Sequence, residues 1–114
     1  MALQKESKNP YYTLGRIVAY REKEGKLTGT SDLVEKILLD IQEGTALKLA
    51  NLAQQIQANT RGLEDGKKEE FEALEMEIAK LHDRLEMEEY PERMNPEQLG
   101  SFQLGYYHQR SVAK

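Results

Sequence analysis

Residues 67–89 read KKEEFEALEMEIAKLHDRLEMEE, and the spacing of their apolar side chains sets the fold class. Phe71, Leu74, Ile78, Leu81 and Leu85 follow one another by 3, 4, 3 and 4, the steps of a helix with one narrow apolar seam. The seam covers barely two heptads before Glu88 and Glu89 interrupt it. A long coiled coil needs more repeats, so this helix is expected to pack within its own chain. Pro91 is expected to end it, since proline has no amide hydrogen to give the preceding turn.

On either side the same period continues, and strand-type alternation is nearly absent. Asn9-Pro10 is a helix start, asparagine as cap and proline at the first helical position. The segment it opens, YYTLGRIVAYREKE, places Leu14, Ile17 and Val18 on one face, with Arg16, Lys23 and Glu24 expected toward water. Gly25 is expected to end it, leaving GKLTGTS as a loop. Thr30 or Ser31 caps DLVEKILLDIQE, whose Leu33, Val34, Ile37, Leu38 and Ile41 form a wide apolar stripe. Gly44-Thr45 breaks the chain before ALKLANLAQQIQANT. Its Ala46, Leu49, Ala50, Leu52, Ala53 and Ile56 predict the most buried helix. RGLEDG links it to the long helix, and Asn95-Pro96 repeats the start signal before PEQLGSFQLGYYHQR. The expected architecture is all-α, a compact bundle of about five helices forming a single domain over residues 1–114.

At 114 residues, with 39% hydrophobic and 32% charged side chains, the chain can build one modest core. The absence of cysteine excludes disulfides and thiolate zinc sites. No apolar run reaches the roughly 18 residues of a membrane span, and the first residues lack a signal-peptide core, so a cytoplasmic protein is expected. The net charge of −4 is unevenly spread: +3 over residues 1–26, −1 over 27–61, −8 over 62–92 and +2 over 93–114. Because charges more than about 8 Å apart are largely screened at physiological salt, local patches matter more than the total.

Catalytic signals are missing. His82 and His108 lie in different helices, and His82 with Glu86 offers only two ligands, too few for a defined metal site. The carboxylates of residues 64–92 fall all round their helix, without the alternating oxygens and glycine of a calcium loop. There is no nucleophile elbow, dinucleotide fingerprint or phosphate loop. No catalytic residue, metal or cofactor is therefore assigned. In the last helix Leu99, Phe102 and Tyr106 share a face, and Gly100 and Gly105 are expected to admit a neighbouring backbone. Tyr107, His108 and Arg110 are left as candidates to meet a partner or a phosphate.

YPERMNPEQLGSFQLGYYHQR resembles the carboxy-terminal signature of the large subunit of type I-C CRISPR Cascade. Pro91, Gln98, Phe102 and Leu104 to Arg110 match it, and Tyr12 with Leu14 to Arg16 match the family's Tyr-x-Leu-Gly-Arg mark. Residues 27–90 agree only in helical pattern. The resemblance implies a small subunit, made separately by translation from within the large-subunit gene. Its implied partners are the backbone subunits, the large subunit, further small-subunit copies, guide RNA, and the target or non-target DNA strand; no membrane or small-molecule substrate is implied. The implied role is to steady the guide–target hybrid and the displaced strand without catalysis.

Such a role needs basic side chains that reach phosphates regardless of sequence. The candidates are Arg16, Arg21, Lys23 and Lys26 near the first helix, Lys48 and Arg61 around the third, and Arg110 near the end. Tyr107 and His108 are assigned to a subunit interface. Two alternatives remain: a purely structural adaptor, and a helix-turn-helix regulator built on residues 29–55. The second helix of that unit lacks the Arg, Asn and Gln cluster that reads bases.

Overall fold

A computed structural model describes residue 3, residues 7–85 and residues 90–112. Five helices make up an all-α bundle: α1 Pro10–Thr28, α2 Ser31–Asp40, α3 Thr45–Ala58, α4 Asp65–Arg84 and α5 Pro96–Val112. Among the described residues there is no strand, only an isolated bridge between Glu43 and Arg93.

Asparagine caps start the two helices that matter most for the site. The Asn9 side chain accepts hydrogen bonds from the amides of Tyr11 (2.9 Å) and Tyr12 (3.4 Å), ahead of Pro10. These amides have no carbonyl one turn earlier, so the cap meets a need the helix cannot. At α5 the exchange is reciprocal. The Gln98 amide donates to Asn95 Oδ1 at 2.8 Å, and the Asn95 amide donates to Gln98 Oε1 at 3.0 Å. This is the two-way capping box, with glutamine three residues after the cap.

The first helix does not end at Gly25. It continues to Thr28 and stops at Gly29, whose φ of 77° lies in the left-handed region that a side chain disfavours. The amide of Thr30 then closes on the Gly25 carbonyl at 2.8 Å. GKLTGTS is thus mostly helix, and Thr30 stands before α2 without a side-chain capping bond.

Burial also ranks the helices differently from the composition. Eleven of the nineteen residues of α1 are buried, against four of fourteen in α3. The reason is position: α1 packs against all four other helices, whereas α3 touches only α1 and α2. Ala50 of α3 is exposed, and Ala46 and Ala53 are half-buried. The core joins Leu14, Ile17 and Val18 to Val34, Ile37, Leu52, Ile56, Ile78 and Phe102. The α4 seam lies as its spacing predicts at Phe71, Leu74, Ile78 and Leu81, all buried, while Leu85 is buried just beyond the helix on extended backbone. That helix ends at Arg84, before Pro91; residues 86–89 lie outside the described part. Residues 92–94 bind the α2–α3 loop through Thr45 N to Glu92 O (3.0 Å) and Met94 N to Gln42 O (3.4 Å), with Met94 buried.

Candidate nucleic-acid interface

The two stretches singled out by the sequence, residues 12–16 and 102–110, face each other across the α1–α5 contact. Glycine makes that contact possible. A Cβ on Gly15 would overlap the Phe102 carbonyl oxygen and lie 2.7 Å from the Tyr106 amide. A Cβ on Gly105 would overlap the Tyr12 carbonyl oxygen. The helix backbones therefore touch directly, each glycine receiving the other helix. Gly100, expected to play a similar part, has open space around it.

Close backbones bring polar side chains into register. Tyr12 Oη and His108 Nδ1 are 2.7 Å apart in a buried hydrogen bond, their rings edge to face. Arg16 Nε donates to Gln109 Oε1 at 2.9 Å. The Tyr106 hydroxyl donates to Glu22, and Arg110 Nε lies 3.3 Å from the same carboxylate, its guanidinium 5.9 Å from the Tyr106 ring centroid. Burial, followed by the Glu22 carboxylate, holds the Tyr106 hydroxyl well above the usual phenol range. Buried polar groups are costly unless paired. Here Tyr12, His108, Arg16 and Gln109 are paired across the two helices.

The candidate basic residues divide on this geometry. Arg16 is buried, contrary to the solvent-facing expectation, and burial lowers its pKa. Arg21 is largely covered and binds two carboxylates, Glu24 at 2.8 Å and Glu75 at 2.9 Å, tying α1 to α4. Lys48 is half-buried, and its Nζ donates to the Asp40 carbonyl at 2.6 Å. It sits where the last carbonyls of α2 lack helical partners. Arg110 is exposed but paired with Glu22. Lys23 is half-buried, Lys26 and Arg61 are exposed, and no ion pair engages these three among the described residues. The arginines of α1 serve the bundle, and the accessible cations Lys26 and Arg61 lie on α1 and after α3.

Of the residues assigned to an interface, Tyr107 is 56% exposed, while His108 is only 5% exposed and turned into the chain. Glu24 was expected toward water and is fully buried, with Oε2 lacking any hydrogen-bond partner. His82 is half-buried and shares a 2.7 Å hydrogen bond with the Tyr90 hydroxyl; burial, then Arg21, lowers its pKa. Its possible metal partner Glu86 lies outside the described residues. Among the described residues no three His, Asp or Glu side chains come together as a metal site. None of the described helices is long and apolar enough to cross a membrane.

Glu22, Glu24 and Gln109 were missed as structural polar groups. A signal existed: Leu14, Val18 and Glu22 step by four, as do Ile17 and Arg21, so the buried face of α1 continues into charged residues.

No curated protein and no solved structure matches the chain. A protein-family comparison does, over residues 1–113, to the family described as CRISPR-associated protein (Cas_Csd1). That match spans both helices of the glycine contact and everything between them, and on it the chain belongs to the Cas_Csd1 family of CRISPR-associated proteins.

Proposed function

We propose that the chain is a non-catalytic small subunit of a type I-C CRISPR surveillance complex. It packs along the backbone subunits and stabilises the guide RNA–target DNA hybrid and the displaced strand in antiviral defence. Family membership supports the CRISPR setting. The observation that carries the non-catalytic part is the α1–α5 clasp. Tyr12, His108, Arg16, Gln109, Tyr106 and Arg110, all from the two recognised motifs, bond to partners within the chain, while Tyr107 stays exposed. They hold two helices together instead of converging on an open space where a substrate could react. In an RNA-guided complex base pairing reads the sequence, and the protein has only to grip backbone, which asks for a firm scaffold with a few accessible cations.

A second reading has an observation in its favour. Arg16, Arg21, Lys48 and Arg110 all have intramolecular partners, as a purely structural adaptor would have them. Omitting the chain from a reconstituted effector particle separates the two. The proposal expects the particle to assemble with guide RNA and bind target duplex, but to hold a shorter-lived open strand, read as permanganate reactivity of displaced thymines. Equal reactivity with and without the chain refutes it. Failure of the backbone subunits to assemble favours the adaptor.

A further inference from the structure

We infer that the solvent face of α3, ending at Arg61, is the surface on which a single-stranded polynucleotide backbone lies. The inference rests on the function proposed above and names the surface that serves it. Residues 44–63 form the longest stretch of the chain without aspartate or glutamate, bounded by Glu43 and Glu64. Thr45, Leu49, Leu52 and Ile56 turn one side of this helix inward. Leu47, Ala50, Gln54, Gln57 and Arg61, stepping by 3, 4, 3 and 4, are all exposed on another side. Gln54, Gln57, Ala58, Thr60 and Arg61 line a shallow surface recess.

This chemistry suits phosphodiester and sugar oxygens. Carboxamides donate hydrogen bonds to phosphate without regard to base, and arginine can add a charge-assisted pair. The absence of a carboxylate matters as much in a chain with 20 acidic residues. The carboxyl end of a helix would ordinarily repel an anion through its unpaired carbonyls. Here the carbonyls of Gln55, Ile56 and Gln57 are occupied. Asn59 Nδ2 donates to Gln55 O (2.7 Å), Asn59 N to Ile56 O (3.1 Å), and Thr60 Oγ1 to Gln57 O (2.8 Å). Arg61 has no ion pair among the described residues, unlike Arg21 and Arg110. The exposed side of α4, by contrast, mixes Glu69, Glu70 and Glu72 with Lys67 and Lys68.

The test measures fluorescein-labelled oligo(dT) binding by the full chain at low salt, and displaced-strand reactivity in the assembled particle. R61E and the double variant Q54E/Q57E are expected to weaken oligo(dT) binding roughly tenfold and to flatten the salt dependence by about 0.7 for each phosphate left unneutralised. K36E makes the same charge change as R61E at an exposed position of α2 and is expected to weaken binding less than twofold. Circular dichroism and thermal melts confirm that each variant folds. An equal loss in K36E and R61E, or no loss in either α3 variant, overturns the inference. If that happens while omission of the chain still shortens the life of the open strand, only the choice of surface is wrong. If omission has no effect either, the proposed function falls with it.

Discussion

Glu24 is the residue at which burial and charge conflict most. It is fully covered, one oxygen receives Arg21 Nη1 at 2.8 Å, and the other has no hydrogen-bond partner. Burial, and then the neighbouring Glu75 carboxyl, push its pKa from 4.5 up to about 8. The sign of the resulting pH dependence follows from proton counting. Below pH 4.5 folded and unfolded chains both hold the proton, and Glu24 adds no slope. Between 4.5 and about 8 only the folded chain holds it, so stability falls as pH rises, by at most about 1.4 kcal/mol per pH unit. Glu24→Gln keeps the shape and removes the titration. Urea denaturation of the two proteins from about pH 5 to about pH 8 is expected to show the decline in the parent and a flatter profile in the variant. Parallel profiles would mean that Glu24 ionises normally inside the fold. Sequence spacing could place Glu24 on a helix, but not decide its exposure. That depends on Arg21 and Glu75 meeting it from two elements, and Glu75 is 51 residues away in the chain.

The helices themselves were legible where a local signal fixes them. Asn-Pro marks both capped starts, and the 3-4 spacing of α4 marks its buried seam. What was not legible is which glycine does what, because glycine signals an end, a close approach or nothing, depending on its neighbours. Gly25 resembles a stop and lies inside α1; Gly29, four residues later, is the stop. Gly100 and Gly105 look alike in sequence, yet only Gly105 touches another backbone. Likewise α3 has the more apolar composition, but α1 is more buried because it lies among all the others. The glycine contrast gives a direct test by thermal or urea denaturation. Gly15→Ala drives a methyl into the Phe102 carbonyl and is expected to cost about 3 kcal/mol or prevent folding. Gly100→Ala meets open space within a helix and is expected to stabilise by up to about 1 kcal/mol. If both substitutions shift stability alike, the helix backbones do not touch at Gly15. The tyrosine–histidine and arginine–glutamine pairs depend on the same close approach, so a tolerated Gly15→Ala would count against them too.

At the scale of the molecule, charge is segregated rather than merely negative. Residues 62–92 hold −8 of formal charge, while residues 1–26 hold +3 and residues 93–114 hold +2. This much was readable from the sequence, as was the set of cations available to build an interface. Which cations are accessible was not readable, because Arg16, Arg21 and Lys48 find their partners only after folding. A polyanion approaching the free chain meets a net charge of −4, with −8 gathered in residues 62–92, so isolated binding should be weak and dependent on orientation. Within an assembly, neighbouring subunits can fix the orientation, and several weak contacts act together. Glu69, Glu70 and Glu72 are exposed and lie outside the α4 seam, so exchanging them for glutamine removes charge without disturbing the core. The triple variant is expected to bind oligo(dT) several-fold more tightly than the parent at low salt. The gap should close as ionic strength approaches about 1 M, where screening shortens the reach of each charge to about 3 Å. A gain that persists at high salt would point instead to new short-range bonds from the glutamines. No gain at low salt would mean that the acidic helix does not limit how the chain meets a polynucleotide, and weak binding would have to come from the scarcity of free cations alone.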